Sequence, residues 1–384
     1  MSLHDELQRL ADTAPRPGID HDLWDRGRAL RRRDRLVTSA VVLVLVLVVG
    51  GMGTLLVGPP RAVAPASDAV PGGAIPSRIY EPPNNDPLLE DDLDIGRASV
   101  AFVGANQSSL TPFATVIGAA DGTYHFLSLP DLDQGREALA LSPDGTRLAW
   151  RSKNSELHVA DLTTGEVTDL RPQFATTDHR SWELGWRADS LHLAWAGSRQ
   201  GGIFNVVTGE EERASARDYF TCCPVSPSGD LAAIRNVRRG GPARFATASS
   251  EKLLRRALPA DLYPKGATVT PLGWADDHLV LATVFGPEGS YVEDYHLALF
   301  TSPDRPESEW TYRILVRGVP SSDELSIAVD LIPDLDGATN QQLTHDFGEP
   351  DWPGQGPDRL PLILGALMAL LSGLALIRML RYQR

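Results

Sequence analysis

A repeat with a spacing near 44 residues constrains this chain more than any other feature. "LALSPDG" begins at Leu139, "LGWRADS" at Leu184, "CPVSPSG" at Cys223 and "LGWADDH" at Leu272. The first interval is 45, and the 88 residues between the second and fourth segments are twice 44, with Cys223 between them. Ser226-Pro227-Ser228-Gly229 reproduces Ser142-Pro143-Asp144-Gly145. A second turn keeps the same step, since Gly122, Gly165 and Gly209 lie 43 and 44 residues apart.

Within one unit, apolar residues alternate. Leu139 and Leu141 share a parity, as do Leu148 and Trp150, and Leu157 and Val159. That is the period of strands that bury one face. Asp144-Gly145 and Thr164-Gly165 supply the positive φ that tight hairpin turns require, and a fourth strand is expected over Glu166 to Leu170. The later units align Leu148 and Trp150 with Leu193 and Trp195, Ala232 and Ile234, and Leu281 and Thr283.

Four strands every 44 residues or so make a β-propeller blade, because one such sheet cannot bury both faces and must stack against its neighbours around an axis. The expected fold class is therefore all-β, a propeller of about five four-stranded blades over residues 98–335, with six if "SRIYEPP" begins another. The first unit, "ASVAFVG", matches Val100 and Phe102 to Leu148 and Trp150 and lacks an innermost strand. "LSIAVDL", Leu325 to Leu331, is expected to supply it and close the ring. The S-P-D-G turn, the "LAW" strand and the "DLTTGE" turn resemble the blades of TolB-like and WD-type propellers, without a Gly-His and Trp-Asp pair. The resemblance implies architecture and not function, since propellers serve binding, scaffolding and catalysis alike.

Two apolar runs stand apart from the repeats. Leu36 to Val57 is 22 residues without a charge, about 33 Å as a helix, and Leu360 to Ile377 is 18. Both read as transmembrane helices flanking the propeller, the second at 360–378 with Arg378 reaching the interface. Six arginines occupy residues 26–35 before the first span, and Arg378, Arg381 and Arg384 follow the second. By the positive-inside rule residues 1–35 and 379–384 are expected in the cytoplasm and the propeller outside, in a two-pass cell-membrane protein. Ala62-Val63-Ala64 resembles a signal-peptide cleavage site, but the apolar run is longer than a signal core and Pro65 follows the cut, so an uncleaved anchor is expected. Residues 58–97 and 336–359 read as linkers, the first rich in Pro, Ala and Gly and expected to be an extended spacer rather than packed structure.

Residues 36–377 carry 25 basic and 43 acidic side chains, an acidic domain that argues against nucleic acid or an anionic lipid surface as the propeller's partner. No G-x-S-x-G, H-E-x-x-H or phosphate-binding glycine loop occurs, and no cofactor or metal is expected. "EDDLD", Glu90 to Asp94, lacks the ligand alternation and turn glycine of a calcium loop. His158 and His192 read as strand residues. Asp178 and His179, in a loop between two blades, are the candidate binding site. The only cysteines, Cys222 and Cys223, are a candidate redox pair, opposed by their adjacency in a strand, while the repeat gives Cys223 the buried place of Leu139, Leu184 and Leu272.

The layout, a short arginine-rich segment before the first span, resembles membrane-anchored propeller proteins of high-GC Gram-positive bacteria. The expected function is a non-enzymatic, membrane-tethered binding, scaffold or sensor module for a protein or cell-envelope ligand. Two alternatives stay open: a hydrolase-like enzyme with its site on the axial face, and a transmembrane regulator whose N-terminal segment binds a cytoplasmic partner such as a sigma factor, although the zinc motif of one such class is absent.

Overall fold

The computed structural model describes residues 69–82, 87–105, 111–133, 138–173, 183–197, 200–215, 218–235, 241–320, 325–335, 338, 340–350, 352 and 378. All but Arg378 belong to one compact unit, residues 64–355. Residues 36–57 and 360–377, read as membrane spans, lie outside the described residues, and among those described no helix is long and apolar enough to cross a membrane.

Five antiparallel sheets follow one another along the chain. Blade 1 contains β1 (Ala98–Ala105), β2 (Pro112–Gly118) and β3 (Tyr124–Leu127). Blade 2 contains β4 (Leu139–Leu141), β5 (Arg147–Arg151), β6 (Leu157–Asp161) and β7 (Val167–Leu170). Blade 3 contains β8 (Glu183–Trp186), β9 (His192–Ala196), β10 (Gly201–Asn205) and β11 (Glu211–Ala214). A four-residue helix, α1 (Tyr219–Cys222), leads into blade 4, with β12 (Leu231–Ile234), β13 (Ala243–Thr247) and β14 (Ser250–Arg256). Blade 5 contains β15 (Thr268–Trp274), β16 (Leu279–Gly286), β17 (Asp294–Thr301) and β18 (Tyr312–Arg317).

The ring closes as the sequence predicts. β19 (Ser326–Ile327) pairs with β1 through Val100 and Ile327, which makes the last strand of the chain the innermost strand of blade 1. The count is five, because Ser77–Pro82 begins no sheet. Blade 4 keeps only a remnant of its inner strand: Val225 bridges Ala232, and Ala233 N–H donates to Pro224 O at 2.9 Å. Pro224 and Pro227 flank that bridge, and proline has no N–H to extend a ladder. Blade 5 departs from the aligned repeat by one residue. Trp274 faces Val280, whereas Trp186 faces Leu193, and a bulge around Leu272 absorbs the difference.

The repeated turns explain the repeated residues. Ser142 Oγ accepts from Arg147 N–H at 2.9 Å and Ser226 Oγ from Leu231 N–H at 3.1 Å, while Gly145 and Gly229 donate back to the carbonyls of those serines, both at 2.8 Å. Gly145 has φ +74°, and a Cβ there would lie 2.1 Å from Ala98 O, so the turn also sets how closely blade 1 approaches blade 2.

Burial follows the stacking. Every residue of β2 is buried, as in a sheet covered on both faces. One cluster joins blade 2 to blade 3 through Leu157, Val159, Leu193, Trp195 and Phe204, and another joins blade 4 to blade 5 through Phe245, Val269, Trp274 and Phe300. The described part of the N-terminal linker differs from expectation. It has little regular structure, but Ile75, Ile79 and Leu93 are buried in the core. The cause is its own apolar residues, which cover blade 1 alongside the C-terminal linker: His345 N–H donates to Ile75 O at 2.8 Å, Ser77 N–H to His345 O at 2.7 Å, and Trp352 packs on Tyr124.

Candidate functional site: the axial pocket

The inner strands of the five blades surround a pocket of about 130 Å³. Leu139, Leu184, Cys223, Leu272 and Leu325, one from each blade, line it at the same point of the repeat. Small residues stand at the next position of each inner strand: Ala140, Gly185, Pro224, Gly273 and Ser326. Without large side chains there, the five backbones approach the axis. Polar side chains then join neighbouring blades at this level. Trp186 Nε1–H donates to Ala140 O at 3.0 Å, Trp274 Nε1–H donates to Pro224 O at 3.0 Å, and Leu141 N–H donates to Ser326 Oγ at 2.9 Å across the closure.

The pocket is asymmetric. Beside Gly273 it is filled by Val329, whose Cγ1 lies 2.7 Å from where a Cβ would stand. Val329 opens the 3-10 turn Val329–Leu331 that follows β19, so the closing segment also blocks one side. At Gly185, by contrast, an added Cβ would meet nothing within 4 Å. The free volume therefore lies against blade 3, with room for roughly four water-sized groups.

Its walls are apolar and polar in about equal part, and the ionisable residues of the described lining are Glu183, Arg235 and Cys223. Glu183 is open to water inside the pocket yet surrounded by protein. Partial loss of solvation raises its carboxyl pKa, and the charge of Arg235 opposes that rise. The described lining contains no histidine, and Ser326 Oγ is engaged with Leu141. Such a site can enclose an apolar group and meet a polar head with one acid and one base.

At the opposite ends of the inner strands the serine-proline turns carry a second polar group. Arg97 Nε donates to Asp144 O, and Asp330 N–H donates to Pro143 O at 3.0 Å. Burial alone would raise the Asp144 carboxyl, but hydrogen bonds from Ser142 and Thr146 and the Arg147 charge hold it below the usual range. Asp330 is raised by burial and then by Asp144, with Arg97 opposing. These groups fasten the closure to blade 2.

Asp178 and His179 lie in 174–182, outside the described residues, in the connection from β7 to β8 that ends at Glu183. Cys222 closes α1 and does not sit in a strand, so the strand argument against its pairing with Cys223 does not apply. Its side chain is not described. Cys223 is half-buried at the pocket wall, packed against the cluster of Ala232, Ile234 and Ala246. His158 Nδ1 meets Asp169 at 2.7 Å and His192 Nδ1 meets Asp189 at 2.6 Å, both local strand contacts. Glu90 of "EDDLD" pairs with His125 Nδ1 at 2.9 Å.

Glu183, Gly185, Arg235 and Val329 escaped the sequence reading. A signal existed for the first two. In the aligned repeats Glu183 stands where Ala138, Cys222 and Pro271 stand, and small residues recur where Gly185 does.

No protein-family model matches this chain, and no curated relative does. Among solved structures it is similar to TolB from Acinetobacter baumannii, at 16% identity over 60% of this chain and 53% of that one, with a TM-score of 0.37. The chain thus spans about half the length of that protein. It is also similar to a putative TolB from Agrobacterium tumefaciens, at 13% identity over 60% of this chain and 98% of that one, TM-score 0.36. The β-propeller domain of the Trilobed protease from Pyrococcus furiosus matches at 14% identity over 55% and 67% of the two chains, TM-score 0.30.

Proposed function

We propose that this chain is a non-catalytic binding module, tethered to the cell membrane by residues 36–57 and 360–377 and facing outward, whose protein or cell-envelope ligand places an apolar group in the axial pocket. One observation carries the reading: a pocket of about 130 Å³ whose walls are apolar and polar in equal part, open at Gly185 and headed by Glu183 and Arg235. Its size suits a single side chain or a small amphiphile, and its head group suits a ligand with its own polar end.

Gly185 gives the test. Its φ is not positive and a side chain there meets only open space, so Gly185→Phe fills the pocket while leaving the fold intact. Full-length wild-type and G185F chains, each with an unchanged melting profile, are exposed to envelope extract, and bound species are compared by mass spectrometry. The expected result is a species retained by wild type and absent from G185F. Equal retention by both chains removes the axial pocket from the function.

A further inference from the structure

Blade 4 is basic within an acidic domain. Residues 235–265 hold eight basic and two acidic side chains. The register places Arg244 of β13 directly opposite Arg255 of β14. Like charges at such a position repel across about 5 Å and destabilise a sheet unless an anion lies between them. Among the described residues no hydrogen bond or ion pair joins either arginine to an acid. Lys252 is exposed on the same strand.

Protection of a sheet edge by charge explains Lys252 and Arg255 but not Arg244, which lies on the inner neighbour β13. Among the described residues the edge itself is open. β14 has seven residues, more than the outer strands of the other blades, and among the described residues nothing pairs along its outer side. Blade 1 indicates what can occupy such an edge. There Glu90, at the head of an acidic run, bridges Leu127 of β3 in parallel: its N–H donates to Phe126 O at 2.7 Å and its carbonyl accepts from Ser128 N–H at 2.9 Å.

We propose that the outer edge of blade 4 docks an extended acidic peptide segment of a partner protein, added as a further strand on β14. Main-chain groups of β14 supply the pairing, and Arg244 and Arg255, which share a face, select carboxylates. The acidic remainder of the domain disfavours long polyanions and anionic bilayers more than it disfavours a short peptide, whose charge stays within the basic strip.

The probe is a fluorescein-labelled eight-residue peptide of alternating Glu and Thr, titrated by anisotropy at low ionic strength into the full-length chain. Residues 26–35 are also arginine-rich, so the readout is the difference between variants together with amide exchange along Ser250–Arg256. Saturable binding is expected, weakened at least about tenfold in Arg244→Ser/Arg255→Glu and unchanged in the exposed control Lys153→Glu, with β14 amides protected only in chains that retain both arginines. Arg255→Ala alone serves if the double variant melts early. Absence of binding, equal binding by wild type and variant, or protection of β14 by polyphosphate or phosphatidylglycerol vesicles but not by the peptide each overturns the proposal.

Discussion

Trp186 donates its indole N–H to the main-chain oxygen of Ala140 at 3.0 Å, and this bond crosses from blade 3 to blade 2. The equivalent bond from Trp274 to Pro224 crosses from blade 5 to blade 4. Stacked blades bury apolar surface without fixing their rotation about the axis, because that force is not directional. A hydrogen bond at the inner strands is directional, and sets the blades in register where the pocket forms.

Trp186→Phe keeps the ring and removes the donor. The loss of one such bond is worth about 1 kcal/mol, which lowers the melting temperature of a domain of this size by roughly 2–4 °C. The more telling measurement is pocket geometry: ligand retention by W186F should fall although the fold persists. Unchanged melting and unchanged retention would show that the bond does not organise the pocket.

Gly145 and Gly209 separate two costs of a side chain. Both have positive φ, at +74° and +71°, but a Cβ at Gly145 meets Ala98 O at 2.1 Å and one at Gly209 meets nothing within 4 Å. Gly209→Ala is expected to cost about 1 kcal/mol for the left-handed backbone alone. Gly145→Ala adds the displacement of β1 and is expected to cost several times that, about 3 kcal/mol or more. Denaturant midpoints of the two variants, compared at equal slope, give the difference; equal midpoints would contradict the contact between blades 1 and 2.

The proposed topology has a direct readout. Protease added to intact cells with permeabilised outer layers should cut between Arg61 and Arg359 and spare an N-terminal tag, because six arginines before the first span hold that end inside. Digestion of the tag with survival of the propeller reverses the orientation.

The architecture was legible because blade turns and strand parity depend on local chemistry. The serine and glycine of S-P-D-G each have a backbone partner within the turn, so they recur wherever that turn recurs. Closure by Leu325 to Leu331 was legible too, since the first unit lacked a strand and this segment matched one. The site was less legible. Val329 fills the pocket from a position outside the repeat, and Arg235 reaches it from the end of β12, so neither has a sequence neighbour that announces the pocket. The linker before blade 1 misled for a similar reason: its proline and glycine suggest a spacer, but Ile75 and Ile79 are buried through contacts with residues far along the chain.

Acid should weaken blade 5 through His296. The imidazole is fully buried; its Nδ1–H donates to Asp294 O at 3.1 Å, which leaves Nε2 to accept from the Tyr263 hydroxyl at 2.5 Å, and Tyr312 then donates to Tyr263 at 2.7 Å. Burial lowers the His296 pKa below its ordinary 6.5, and the nearby Arg317 charge adds to the effect, although the Asp294 carbonyl opposes it. The unfolded chain therefore takes up this proton first. The stability held in the neutral imidazole is complete above about pH 6.5 and is lost as pH falls below that value toward the folded-state pKa. Glu183 and Asp330, whose carboxyls are raised, act in the opposite sense in the acid range, so wild-type stability alone does not isolate the histidine. The comparison is with His296→Gln, whose amide oxygen can accept from Tyr263 but does not titrate. Between pH 7 and pH 5 the wild type should lose unfolding free energy relative to H296Q, up to about 1.4 kcal/mol for each unit by which the folded pKa lies below 6.5. Parallel stability curves for the two chains across that interval would mean that His296 is not held neutral by this packing.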